Sequence, residues 1–176
     1  SEALTRFMDA YSRLAKLPAP RKQAVDLRAL IERVVAVERR IPALVESGPP
    51  LTLPADPDQL EQLLINLLRN AADAVLQVVG EVPPLDDLEG AIGVTWQKRG
   101  NQVEIRVTDS GPGLASSANL FVPFFTTKPR GSGIGLILCR QIAEAHGGAI
   151  SLENRPGRPG CVARLLLPLT EEPAAW

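Results

Sequence analysis

Between Pro57 and about Val79 the apolar residues Leu60, Leu63, Leu64, Leu67, Leu68, Ala71, Val75 and Val78 recur at helical spacing and share one arc. Gln59, Gln62, Asn66, Arg69, Asn70, Asp73 and Gln77 take the opposite arc, so the pattern predicts a long helix with one face against a sheet. Its start is marked by Asp56 as N-cap, Pro57 at the first helical position and Gln59 three residues after the cap, a capping-box pattern. A shorter helix is predicted after Asp26 through Leu27, Leu30, Ile31, Val34 and Val35, and another from Ile134 to His146, closed by Gly147-Gly148. Near the N-terminus Leu4, Phe7, Tyr11 and Leu14 step by three, four and three and stop at Leu17-Pro18-Ala19-Pro20. That seam suits a helix lying lengthwise on another helix or one packed on its own domain, and the prolines after it read as a stiff hinge.

Strands are expected at Ala43 to Glu46, Leu51 to Leu53, Ile92 to Lys98, Val103 to Thr108, Ala149 to Glu153 and Val162 to Leu167, the middle two joined as a hairpin by Arg99-Gly100-Asn101. Residues 80–90 have loop composition. From Asp109 to about Gly133 the chain is punctuated by prolines and glycines and shows no period, a connection beyond the roughly 12 to 15 residues at which a structureless segment is either functional or disordered.

At 176 residues the chain can bury one good core with one appended element. Its 19 Lys+Arg balance 20 Asp+Glu, so no long-range field draws it to nucleic acid or anionic lipid. No apolar run approaches the roughly 18 residues of a membrane span, and the first residues lack a signal peptide's basic and apolar regions, so a cytoplasmic setting is expected. Cys139 and Cys161 with the single histidine, His146, are too few for a zinc site, and no nucleophile elbow accompanies them.

Three stretches carry candidate chemistry. Asn66 and Asn70 lie one turn apart on the polar arc, where amide oxygens suit a magnesium ion with its waters; the same face would also simply meet solvent. Asp109-Ser110-Gly111-Pro112-Gly113 leaves a strand end, with a carboxylate able to accept from an exocyclic amine and glycines that let backbone approach a flat ligand, or it is an ordinary turn. Gly131-Ser132-Gly133-Ile134-Gly135-Leu136 opens a helix, where free N–H groups and the dipole attract phosphate, unless it is only a helix entry. It fits neither the P-loop nor the dinucleotide fingerprint.

In this order the motifs resemble the catalytic domain of sensor histidine kinases. QLLINLLRNAADA (62–74) looks like that family's asparagine box, DSGPGL (109–114) and GSGIGL (131–136) its glycine boxes, LFVPFFTTK (120–128) its phenylalanine box, and HGGAISLENRPGRPGCVARLLLP (146–168) its terminal segment. The similarity runs from about Asp26 to Pro168. It implies an α+β fold, a two-layer α/β sandwich with a mixed, mostly antiparallel sheet of about five strands on about three helices, shared with gyrase, ninety-kilodalton heat-shock chaperones and mismatch-repair ATPases. It further implies residues 1–20 as the end of a dimerisation and phosphoacceptor bundle with its hinge, 21–170 as the ATP-binding catalytic domain, and 171–176 as a tail.

By the same resemblance Asn70 is the magnesium ligand, Asp109 the adenine anchor, and Gly111 and Gly113 the floor beside the base. The N–H groups around Gly131, Ser132, Gly133, Ile134, Gly135 and Leu136 cradle phosphates. Thr127 and Lys128 belong to a mobile lid over ATP, with Lys128 neutralising phosphate charge, and Phe124 and Phe125 fasten it to the core. Asn66 stands where the ATPase branches have a glutamate, and an amide cannot act as a general base, which favours phosphate transfer over hydrolysis. Asp73 is placed at the phosphate end of the asparagine box, where many members carry lysine, so the implied γ-phosphate cation falls to Lys128, Arg130 or Arg69. Val162 and Ala163 replace frequent Thr and Phe, a change confined to packing of the last strand. The implied partners are ATP, an upstream phosphoacceptor helix bundle, a response-regulator receiver domain and a second copy of the full-length protein, whose other segments are where any membrane anchor would lie, but not nucleic acid. His146 matches the family's usual helix end and is not the acceptor, which then lies outside these residues. The stretch FMDAYSRLAKLPAP leading into VDL is most similar to the nitrogen-regulation type.

Overall fold

The computed structural model describes residues 2–15, 17–46, 48–80, 90–114 and 135–171. In chain order they form α1 (Glu2–Ala15), β1 (Gln23–Asp26), α2 (Leu27–Val35), β2 (Ala43–Val45), β3 (Thr52–Ala55), α3 (Pro57–Val79), β4 (Ile92–Arg99), β5 (Gln102–Asp109), α4 (Gly135–Ala145), β6 (Ala149–Asn154) and β7 (Cys161–Pro168). Five strands make one sheet in the order β2-β4-β5-β7-β6, with β2 parallel to β4 and every other pair antiparallel. The expected mixed sheet on about three helices is therefore present. A separate two-stranded ribbon pairs β1 with β3 antiparallel. The strand at Gln23–Asp26 has no counterpart in the sequence reading, and the strand placed at Leu51 to Leu53 begins and ends later, at Thr52–Ala55. Only Val25 of β1 is buried, so four residues with one inward side chain left no period to read.

The core lies on one face of the large sheet. Ile92, Val94 and Trp96 of β4 alternate inward, the latter two in register with Val107 and Ile105 of β5, whose Val103, Ile105 and Val107 pair in turn with Leu167, Leu165 and Ala163 of β7. Across them pack α2 through Leu30, Ile31 and Val34, α3 through its leucine arc, and α4 through Leu138, Cys139 and Ile142. The opposite face carries charge: Glu104 is buried between the guanidinium groups of Arg99, at 3.0 Å, and Arg106. Burial pushes the Glu104 carboxyl up, but its arginines more than offset this and hold it below the ordinary glutamate value.

The predicted helix starts hold in part. Asp26 caps α2 by accepting from Ala29 N at 3.2 Å, and Asp56 caps α3 by accepting from Asp58 N and Gln59 N at 3.0 and 3.2 Å. The reciprocal half of the capping box is absent. Gln59 is 6% exposed and donates instead to the Pro18 carbonyl at 2.8 Å, while the Asp56 N–H goes to His146 Nε2 at 3.0 Å. The hinge and the end of α4 both abut this helix start and outcompete the local contact. Gln59 thus leaves the solvated arc, and Val78, placed on the buried arc, is 59% exposed past the last buried position, Val75. Among the described residues no helix is long and apolar enough to cross a membrane.

Candidate functional site

Four elements converge beside the polar face of α3. Asp109 ends β5 with 7% of its surface exposed, its Oδ1 accepting the Gly111 N–H at 2.8 Å. Burial raises its carboxyl above the ordinary aspartate value, even though the Gly111 and Cys161 N–H groups and the nearby Arg155 pull the other way. Gly111 is pressed on the middle of α3: a Cβ there would stand 2.6 Å from Ala74 Cβ and 2.8 Å from Ala74 C. Gly113 has φ 84°, and Asn154 of β6 holds the following residue, accepting from Leu114 N at 2.6 Å. Gly160, φ 127°, lies so close to the Asp109 carbonyl that no side chain fits between them. A backbone platform is thereby fixed against α3 with an aspartate at its rim.

On the helix itself Asn66 and Asn70 are half-buried one turn apart. The Asn66 side chain hydrogen-bonds the thiol of Cys139, which reaches the Leu63 carbonyl at 3.6 Å; burial pushes this thiol up to about 12, so it stays protonated. Asp73, one turn beyond Asn70, accepts from Arg40 Nη1 at 2.7 Å. The start of α4, Gly135 and Leu136, is half-buried, and among the described residues a Cβ on Gly135 would meet nothing within 4 Å.

Of the residues proposed from sequence, Asn66, Asn70, Asp73, Asp109, Gly111, Gly113, Gly135 and Leu136 lie on these elements. Phe124, Phe125, Thr127, Lys128, Gly131, Ser132, Gly133 and Ile134 lie outside the described residues, as does the lid assigned to Thr127 and Lys128. Sequence reading missed Ala74, Asn154, Arg155 and Gly160. Arg155 Nη1 reaches the Asp109 carbonyl at 3.3 Å and Ser110 Oγ at 3.4 Å. The signal for Asn154, Arg155 and Gly160 was the run ENRPGRPG, which reads as a turn until β6 and β7 bring it under Asp109.

His146 is 2% exposed, with Nε2 accepting from Asp56 N and Nδ1 donating to the Ile142 carbonyl at 2.8 Å. Sequence reading placed it at the helix end. With one nitrogen accepting and one donating, the ring acts as a bridge between α4 and α3.

Residues 55–171 match the family described as Histidine kinase-, DNA gyrase B-, and HSP90-like ATPase. The chain belongs to this family. Sequence relatives of this histidine kinase-like ATPase domain include the sensor histidine kinase ZraS of Escherichia coli (strain K12), 35% identical over 96% of this chain and 36% of its own length. The nitrogen regulation protein NtrY of Azorhizobium caulinodans is 33% identical over 92% of this chain and 21% of its own. The chain thus spans about a third or less of these curated relatives. Among solved structures, the catalytic domain of histidine kinase ThkA superposes with a TM-score of 0.68 at 31% identity, covering 85% of this chain and 96% of that one. The mycobacterial sensor histidine kinase MprB superposes with 0.69 at 29% identity, covering 86% and 99%. ThkA in complex with the response regulator protein TrrA gives 0.72 at 27% identity, covering 96% and 48%. The family assignment accounts for the two-layer fold.

Proposed function

We propose that this chain is the catalytic module of a two-component sensor kinase: it binds ATP with magnesium and passes the γ-phosphate to a histidine outside these residues, for relay to a response regulator. The observation that carries the reading is Asp109, a carboxylate kept in a nearly closed position despite the cost of burial, beside a glycine platform pressed on the asparagine helix. Such a carboxylate accepts from the adenine amine, while Gly111 and Gly113 let backbone lie flat against the base. Asn70 contributes an amide oxygen. A lone hard oxygen donor suits magnesium, which keeps waters and phosphate oxygens as its other ligands. Bound there, magnesium would neutralise charge on the phosphates.

The chain's own residues do the placing. The start of α4, with the N–H groups of residues 131–136, would hold the phosphates, and Thr127 and Lys128 would cover them, fastened by Phe124 and Phe125. Asn66, its amide held by Cys139, cannot take a proton from water, so attack falls to an imidazole brought in line from outside. His146 is closed to that role because both ring nitrogens are bonded and the ring is buried. Residues 1–20 would then end the helix bundle that carries the acceptor, residues 21–170 form the catalytic domain and 171–176 a tail, and the whole would work as a homodimer in the cytoplasm, with two free buried cysteines, Cys139 and Cys161.

Calorimetry with Mg-ATP and Mg-GTP tests the base pocket. Asp109→Ala deletes an acceptor worth about 1.5 to 3 kcal/mol to a hydrogen-bonded amine, so ATP affinity should fall at least tenfold and the preference over GTP vanish. Equal affinity and base preference in the variant would refute the reading.

A further inference from the structure

Asp73 poses an electrostatic problem for a phosphate site. A carboxylate one turn from Asn70 would repel a triphosphate carried along this face. The structure answers with Arg40, from the segment between α2 and β2: its Nη1 donates to Asp73 Oδ1 at 2.7 Å. The other edge of the guanidinium is locked on Glu38, Nε to Oε1 and Nη2 to Oε2 at 2.9 Å each, and Oε1 also accepts the Arg40 backbone N–H at 2.9 Å. Burial pushes the Glu38 carboxyl up, yet the Arg40 hydrogen bonds outweigh it and hold it below the ordinary value, with Arg69 adding attraction. Glu38 is therefore an ionised brace for the arginine. Its side chain is 9% exposed and that of Arg40 46%.

Three of the five guanidinium N–H groups are engaged, leaving the second one on each terminal nitrogen. Their position follows from the helix. Gly111 fixes the base end at Ala74; at about 100° per residue Asn70 is about 40° round from Ala74, Asn66 about 80° and Asp73 about 100°, all in one sense. Asp73 follows Asn70 by three residues, about 60° round and about 4.5 Å along the axis, so a terminal phosphate held at Asn70 stands beside Asp73 and the arginine bonded to it.

We propose that Arg40, braced by Glu38 and Asp73, contacts the terminal phosphate and makes the site distinguish ATP from ADP. The proposal rests on the nucleotide reading above and deepens it, because none of the cations named from sequence is this one. The test is calorimetry of the whole chain with Mg-ATP and with Mg-ADP. Arg40→Gln should lower ATP affinity roughly tenfold, as expected for a half-exposed charge-assisted contact, and leave ADP affinity within about twofold. Arg40→Lys should recover part of the ratio through charge alone. In the Arg40→Gln background, Asp73→Lys should restore it, since a cation then rises from the helix. An unchanged ATP-to-ADP ratio in Arg40→Gln overturns the proposal, and so does an equal fall for both nucleotides, which would make Arg40 a pin for the 36–42 segment. If the unaltered chain binds neither nucleotide, the underlying reading fails instead, so the two failures are distinguishable.

Discussion

Replacing His146 by alanine separates a bridging role from a chemical one. The ring spans the end of α4 and the start of α3 by two bonds, to the Asp56 N–H at 3.0 Å and from Nδ1 to the Ile142 carbonyl at 2.8 Å, at 2% exposure. Each bond is worth about 1 kcal/mol net, and an orphaned buried N–H at Asp56 adds about 1 kcal/mol or more. Loss of the packed ring brings the total to about 3 to 4 kcal/mol. For a chain of this size that is a fall in Tm of roughly 6 to 15 °C. His146→Gln, whose amide oxygen can still accept from Asp56, should lose about half as much. Nucleotide affinity of the folded variant should stay within about twofold, because His146 lies at the far end of α4 from Gly135, about 16 Å along an 11-residue helix. Urea unfolding with calorimetry below the transition measures both. A loss under about 1 kcal/mol, or acid-labile phosphate on the chain that disappears with His146, would refute this account of the residue.

Other outcomes follow from the same geometry. Because burial raises the Asp109 carboxyl in the folded chain, the native state holds its proton more tightly than the unfolded one, so this group's contribution to stability falls as pH rises from the ordinary aspartate value through the raised one. Asp109→Asn should therefore be more stable than the natural chain at neutral pH without nucleotide, with the gap closing in acid, as read by urea unfolding against pH; a gap independent of pH would contradict the shift. Gly111→Ala should cost about 1 to 3 kcal/mol by overpacking on Ala74 and weaken ATP binding. Ala74→Gly should relieve it only in part, since the backbone C and O of residue 74 stand at 2.8 and 2.9 Å, and full rescue would show that the clash is side chain alone.

The long helices and the hairpin strands were legible because each buries one face for many residues: nine of the positions in α3 are buried, a stripe no local effect can disguise. The site was legible where its residues form short runs, as with Asp109, Gly111, Asn66 and Asn70. What escaped was set by contacts between distant segments. Arg40 meets Asp73 across 33 positions and Asp56 meets His146 across 90, and no spacing along the chain encodes either. Gln59 shows the limit of local rules: its cap pattern is correct, yet the Pro18 carbonyl takes the amide once the hinge lies beside it.

The central claim, phosphoryl transfer from this site to a histidine beyond these residues, is tested most directly with γ-labelled ATP. Residues 1–176 alone and a protein joining them to the helix bundle expected before Ser1 would be incubated with it, and acid-labile phosphate followed. The account predicts label only on the longer protein, lost when its acceptor histidine is replaced by glutamine and strongly reduced by Asn70→Asp, with residues 1–176 binding ATP but remaining unlabelled. Label on residues 1–176 alone, or rapid release of free phosphate by them, would contradict it.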